Sequence, residues 1–126
     1  MKYYVGIDLS LTGTGLVILD LNGNVVEQKI ICTKNSQNIE ERICLISDVI
    51  FNSISEKVEL IYIEGLSFGS KGAAALQLAG LHFYIRINLF SKKMVFEVIP
   101  PTTLKKFITG KGNCKRPHIR QAKQRS

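Results

Sequence analysis

The hydrophobic period of this chain first changes just after residue 32, and that change restricts the possible folds more than any other feature. Ahead of it, apolar residues fall in three short runs, at 3–7, 16–19 and 25–32. The runs are separated by Thr12-Gly13-Thr14-Gly15 and by Leu21-Asn22-Gly23-Asn24, both built of residues that suit tight turns. Three strands joined this closely make an antiparallel meander, and the second connection reads as a hairpin. Beyond the change, Ile39, Ile43, Ile46, Ile50 and Ile54 recur every three or four residues, the spacing of one face of a helix over 39–55.

A fourth strand is expected at 58–63, ending on Glu64, followed by a glycine- and serine-rich loop at 65–72. A long helix over 73–90 and a fifth strand over 94–99 follow, the latter stopped by Pro100-Pro101. Thr102 or Thr103 can cap a short helix through Ile108, which Gly110 and Gly112 would end. In the order βββαβαβα, crossover helices lay parallel strands beside the first one. The fold class predicted is α/β: an RNase H-like mixed five-stranded sheet, strands 1–3 antiparallel and strands 4 and 5 parallel, with flanking helices. The whole of 1–113 is one domain, since 126 residues build one core and not two. Residues 114–126 carry five Lys/Arg, no acid and only Ile119 as a large aliphatic, so a disordered basic tail is expected there.

The net charge of +7 is unevenly distributed. Residues 1–70 hold five Lys/Arg against nine Asp/Glu, whereas 71–126 hold twelve Lys/Arg against Glu97 alone. A basic half of this kind suits a polyanionic partner, and nucleic acid is the commonest. Cys32, Cys44 and Cys114 lack metal-binding or disulfide spacing and read as free thiols, the first two as small core residues. The stretch 73–90 is interrupted by Gln77, His82, Arg86 and Asn88, so it reads as a buried or interfacial helix rather than a membrane span. The cytoplasm is the expected location.

Two acids stand out by position. Asp8 ends the first apolar strand, and Glu64 ends the fourth. If those strands are parallel neighbours, the two carboxylates share one sheet edge, about 4.8 Å apart. Like charges so close disfavour joint ionisation, and a hard divalent cation relieves the conflict. Magnesium, or alternatively manganese, is the expected cofactor, with Asp8 and Glu64 as both metal ligands and catalytic acids. His82, on an apolar helix, reads as a satisfied core or interface group. The same helix is apolar around much of its circumference, and one side is expected to be a dimer seam or to lie under a further helix.

Gly6-Ile7-Asp8-Leu9-Ser10 with Thr14-Gly15 resembles the opening of RuvC-type Holliday-junction resolvases. Ile63-Glu64-Gly65, Phe68, Lys71-Gly72, Gln77 and Gly80 resemble that family's second acidic motif and following helix. Pro100 to Lys106, with Gly110-Lys111-Gly112-Asn113, is similar to the strand-to-helix segment and glycine loop of phage and bacterial members. The resemblance implies a structure-specific endodeoxyribonuclease that acts as a homodimer and cuts branched or four-way DNA with magnesium. It makes Phe68 an aromatic wedge against junction bases, and it places Lys105 and Arg116 near the scissile phosphate. Lys71, Lys106 and Lys111 join them as expected DNA contacts.

The chain departs from the family's pattern at its end. The resemblance implies further acids in an Asp/His-x-x-Asp arrangement, yet no Asp or Glu follows Glu97, and His118 is followed three residues later by Gln121. The expectation is therefore a truncated or frame-shifted resolvase, with a catalytically crippled junction-binding remnant as the alternative function. An actin-like ATPase fragment, suggested by Gly6-Ile7-Asp8 and the Thr-Gly repeat, would need a second similar domain that 126 residues cannot supply.

Overall fold

Runs of β-branched and aromatic residues pair into a sheet because each offers one face to a shared apolar layer. The computed structural model describes residues 2–55, 57–66 and 71–100. Within them lie β1 (Tyr3–Asp8), β2 (Thr14–Asp20), β3 (Val25–Ile31), α1 (Ile39–Ser53), β4 (Val58–Glu64), α2 (Ala73–Ser91) and β5 (Phe96–Ile99). The sheet order is β3-β2-β1-β4-β5. β2 runs antiparallel to both β1 and β3, while β4 runs parallel to β1 and β5 parallel to β4. This is the mixed sheet expected from the element order.

The β2–β3 hairpin turns where the sequence signalled it. Asp20 accepts from the Asn22 and Asn24 N–H groups at 2.9 Å each, and Gly23 takes the positive φ of 88° that the turn requires. The Asn24 N–H above all holds the Asp20 carboxyl below its usual range.

Strand alternation sends side chains to both faces of the sheet, and one face carries the main core. Val5, Ile7, Leu16, Ile18, Ile61 and Ile63 form one cluster with Ile46 and Ile50 of α1 and with Leu81, Ile85 and Leu89 of α2. Most of these are completely buried, and each contributes roughly 1.5–3 kcal/mol by leaving water. Successive strand residues point to opposite faces, so Asp8 and Glu64 lie on the face turned away from the two helices.

β2 takes in Thr14 and Gly15 from the expected turn and runs on to Asp20, and three other boundaries differ from expectation for local reasons. β3 stops at Ile31 and α1 at Ser53, where the extended Ile54 still donates its N–H to Ile50. β5 starts at Phe96 rather than 94, because Lys93 (φ 60°) and Met94 belong to the cap of α2. Their N–H groups return to the carbonyls of Phe90 and Leu89, at 3.0 Å each, in a Schellman arrangement. Among the described residues, no helix is long and apolar enough to cross a membrane.

Candidate active site

The two acids meet because of a register, not a sequence neighbourhood. β1 and β4 are parallel and paired Val5 to Ile61, Gly6 to Tyr62 and Ile7 to Ile63. One residue further along that register, Asp8 stands beside Glu64 on the adjacent strand. Neighbouring strands are about 4.8 Å apart, so the two carboxylates share one edge and one face of the sheet. Both are buried, at 3% and 6% exposure.

The backbone on each side of the pair is closely held. After Glu64, the Gly65 N–H donates to the Ile99 carbonyl at 2.7 Å, tying the end of β4 to the end of β5. A Cβ at Gly65 would stand 3.2 Å from that same oxygen and 3.2 Å from Val98 Cγ1, so a side chain there requires β5 to give by a few tenths of an ångström. After Asp8, the β1–β2 loop is knitted onto itself. The Ser10 N–H donates to the Thr14 hydroxyl at 3.1 Å, and that hydroxyl donates back to the Ser10 carbonyl. Ser10 Oγ accepts from the Thr12 and Gly13 N–H groups at 3.3 Å each. Thr14 itself is fully buried. The Thr-Gly repeat therefore serves to close a tight loop directly behind the first acid.

The donor set suits a hard divalent cation. The two carboxylates would supply oxygen ligands and two negative charges to such an ion. Among the described residues, no group of three His, Cys, Asp or Glu comes together as a metal centre.

Of the expected DNA-contacting residues, Lys71 is described and is exposed, immediately before Gly72, the N-cap of α2. Phe68, Lys105, Lys106, Lys111 and Arg116 lie outside the described residues.

Three expectations for other side chains need correction. Cys32 and Cys44 are exposed rather than core residues. Cys32 follows buried Ile31, so alternation turns it outward, and Cys44 sits about 200° around α1 from the buried position 42. His82 is a buried core group, at 2% exposure, but among the described residues its Nδ1 has no hydrogen-bond partner. Burial, and then the nearby Arg86 charge, lower its pKa to about 4, against a smaller opposing effect from Asp8, and so hold the ring neutral.

Sequence reasoning also passed over Arg42. It is buried on α1, where its guanidinium reaches Thr33 and the Leu11 carbonyl. The available signal was its spacing, four residues before Ile46 and eight before Ile50, on the stripe that faces the sheet.

Comparison with known proteins agrees with this geometry. Thermus thermophilus RuvC is similar in fold, at 16% identity and a TM-score of 0.70 over 92% of this chain and 74% of that one. The T. thermophilus RuvC solved in complex with Holliday junction substrate matches at 16% identity and a TM-score of 0.74, over 87% and 72%. No curated protein matches the sequence. The family model for the crossover junction endodeoxyribonuclease RuvC matches residues 4–124, running past residue 113, where the motifs quoted above end. With that model covering nearly the whole sequence, the chain belongs to the RuvC family of crossover junction endodeoxyribonucleases.

Proposed function

We propose that this chain engages four-way DNA junctions and cuts them by metal-assisted phosphodiester hydrolysis, with Asp8 and Glu64 as the metal-binding catalytic acids. The observation that carries the reading is the parallel β1–β4 register, which puts two buried carboxylates side by side at the edge of the sheet. Magnesium fits this oxygen donor set best, and manganese is the alternative. When bound, such a cation supplies an activated water and neutralises charge on the leaving oxygen. The chain's own groups orient it: Asp8 and Glu64 provide ligands from two fixed strands, and the bonds of Gly65 and of the Ser10–Thr14 loop keep those ligands from turning away.

Lys71, Lys105, Lys106, Lys111 and Arg116 are assigned to backbone phosphates, in line with the excess of positive charge over 71–126. Phe68 is assigned to stacking against a junction base, a contact that typically contributes ~1–3 kcal/mol. The exposed apolar side of α2 supports a homodimer. Leu76, Phe83, Ile87 and Phe90, spaced by seven, four and three residues, are each at least half exposed. A stripe so apolar on a long helix is the seam expected of two copies packed by a two-fold axis. A cytoplasmic location accords with the two free thiols at Cys32 and Cys44. Residues 1–113 form the nuclease domain in this reading, and 114–126 its basic tail.

A second reading has one observation in its favour: no Asp or Glu follows Glu97, so further acidic ligands do not come from the last part of this sequence. In that reading the chain binds junctions without turnover. Gel-shift titration of a synthetic four-way junction against linear duplex in calcium, followed by a magnesium titration of cleavage, tests both. At least about tenfold tighter junction binding is expected, equivalent to ~1.4 kcal/mol. Cleavage abolished by Asp8→Asn and Glu64→Gln supports the nuclease, and junction binding without cleavage at any magnesium concentration supports the second reading. Equal affinity for junction and duplex refutes both.

A further inference from the structure

We propose that Arg42 is a positioning residue for Asp8, its buried guanidinium locking the β1–β2 loop against the head of α1. The inference rests on the reading of Asp8 as a cation ligand.

A buried arginine normally faces a carboxylate, because a charge removed from water is costly unless it is paired. Arg42 is only 6% exposed, yet no described acid lies within ion-pair distance of it. Its partners are neutral. Nε–H donates to Thr33 Oγ1 at 2.8 Å, and Nη2–H donates to the Leu11 carbonyl at 3.1 Å. The Thr33 hydroxyl donates to the same carbonyl. The three groups close a ring that joins α1, the segment after β3 and the loop leaving β1. Leu11 lies three residues beyond Asp8, so two donors from two other elements fix the chain just after the acid.

Both sides of the ring are rigid. On the α1 side, the Asn38 side chain accepts the Glu41 N–H at 2.8 Å and donates to the Glu41 carboxylate at 2.6 Å. The Lys34–Gln37 turn is closed by reciprocal bonds of 2.9 and 3.0 Å. On the β1 side stand the Ser10–Thr14 bonds and the pairing of Asp8 with Gly15. An aliphatic side chain would pack α1 against the sheet without the cost of burying a charge. What the guanidinium adds is a planar fork that holds two acceptors in one fixed geometry, which neither an aliphatic chain nor a lysine reproduces. The site that benefits is the strand tip three residues away, where Asp8 must keep its aim beside Glu64.

The full chain carrying Arg42→Met, Arg42→Lys or Thr33→Val, compared with wild type and Asp8→Asn, tests this by amide hydrogen exchange and by Mn²⁺ affinity from the paramagnetic resonance of the free ion. Arg42→Met is expected to speed exchange over 9–14 by roughly tenfold while β2 and β3 stay protected. It is expected to weaken Mn²⁺ binding about tenfold, the lower end of what losing a group that orients a metal ligand costs. Arg42→Lys keeps the charge and most of the packing but not the fork, so it should fall between wild type and Arg42→Met in both measurements. Thr33→Val should shift both in the same direction by less. If Arg42→Met exposes the whole sheet, Arg42→Lys decides: a loosened loop with weakened Mn²⁺ binding supports the proposal, and wild-type values in both overturn it. Mn²⁺ binding that Asp8→Asn abolishes but the Arg42 variants leave intact overturns this proposal alone. Equal Mn²⁺ binding by wild type and Asp8→Asn overturns the ligand reading itself, and this inference with it.

Discussion

Replacing Asp8 by asparagine keeps the shape of the side chain and removes one of the two charges at the sheet edge. On adjacent parallel strands the carboxylates are held about 5 Å apart, and at an effective dielectric constant near 20 two unit charges at that distance repel by ~3 kcal/mol. Some of that repulsion persists while the site lacks a cation, and a bound divalent ion converts it into attraction. The prediction is a difference in metal response. Wild type at Mn²⁺ equal to ten times its dissociation constant should gain ~1.4 kcal/mol of stability, the mass-action value for one site. For a folded unit of about 100 residues this amounts to roughly 6–11 °C in melting temperature. Asp8→Asn and Glu64→Gln should respond by less than about 1 °C at the same concentration, each having lost a charged ligand. In EDTA the Mn²⁺-dependent gain of wild type should vanish. Thermal melts followed by circular dichroism, with ionic strength held constant, read both arms. An unchanged metal response in both variants would show that the cation binds elsewhere and would remove the basis for the nuclease reading.

Three further outcomes follow from particular contacts. Gly65→Ala places a methyl carbon 3.2 Å from the Ile99 carbonyl oxygen and should cost ~1 kcal/mol in urea denaturation after the gain in backbone stiffness is subtracted, with metal affinity falling in parallel; a neutral variant would show that β5 yields freely. His82, with its pKa lowered from 6.5 to about 4, binds protons more readily in the unfolded chain, so its stabilising contribution is complete above pH 6.5 and is lost as pH falls toward 4. That loss is up to ~3 kcal/mol, and the difference between wild-type and His82→Leu stability across this range isolates it from the carboxylates; parallel curves would contradict the assignment. Phe83→Glu with Ile87→Glu puts charge into the exposed stripe of α2, where the native residues are 50% and 62% exposed, and should yield a monomer with unchanged helix content by sedimentation equilibrium. A dimer that survives both changes would place the seam elsewhere.

Much of this molecule is legible before any coordinates. The three short apolar runs bounded by turn residues, the Asn22-Gly23 turn and the isoleucine stripe of α1 specify their own local structures, since run length with flanking turns and 3.6-residue spacing each point to one backbone. The placement of Asp8 and Glu64 at strand ends is equally local, as both directly follow an apolar run. Where reading from residue type failed, spacing held better information. Cys32 and Cys44 look like core residues by chemistry, but their positions beside Ile31 and opposite Arg42 send them to solvent. Arg42 looks like a surface residue by chemistry, but its spacing from Ile46 and Ile50 sends it inward.

The sequence by itself determined which of the described segments are strands and helices and that an acid ends each of three strands, at Asp8, Asp20 and Glu64, because those properties depend on neighbours within a few residues. Only the tertiary structure decided the register in which β4 pairs with β1, which brings residue 64 next to residue 8. It alone decided that Arg42 joins Leu11 to Thr33 across 31 and 9 residues of chain. Such pairings are selected by how the whole apolar layer packs, a property of all the strands and helices together that no single segment encodes.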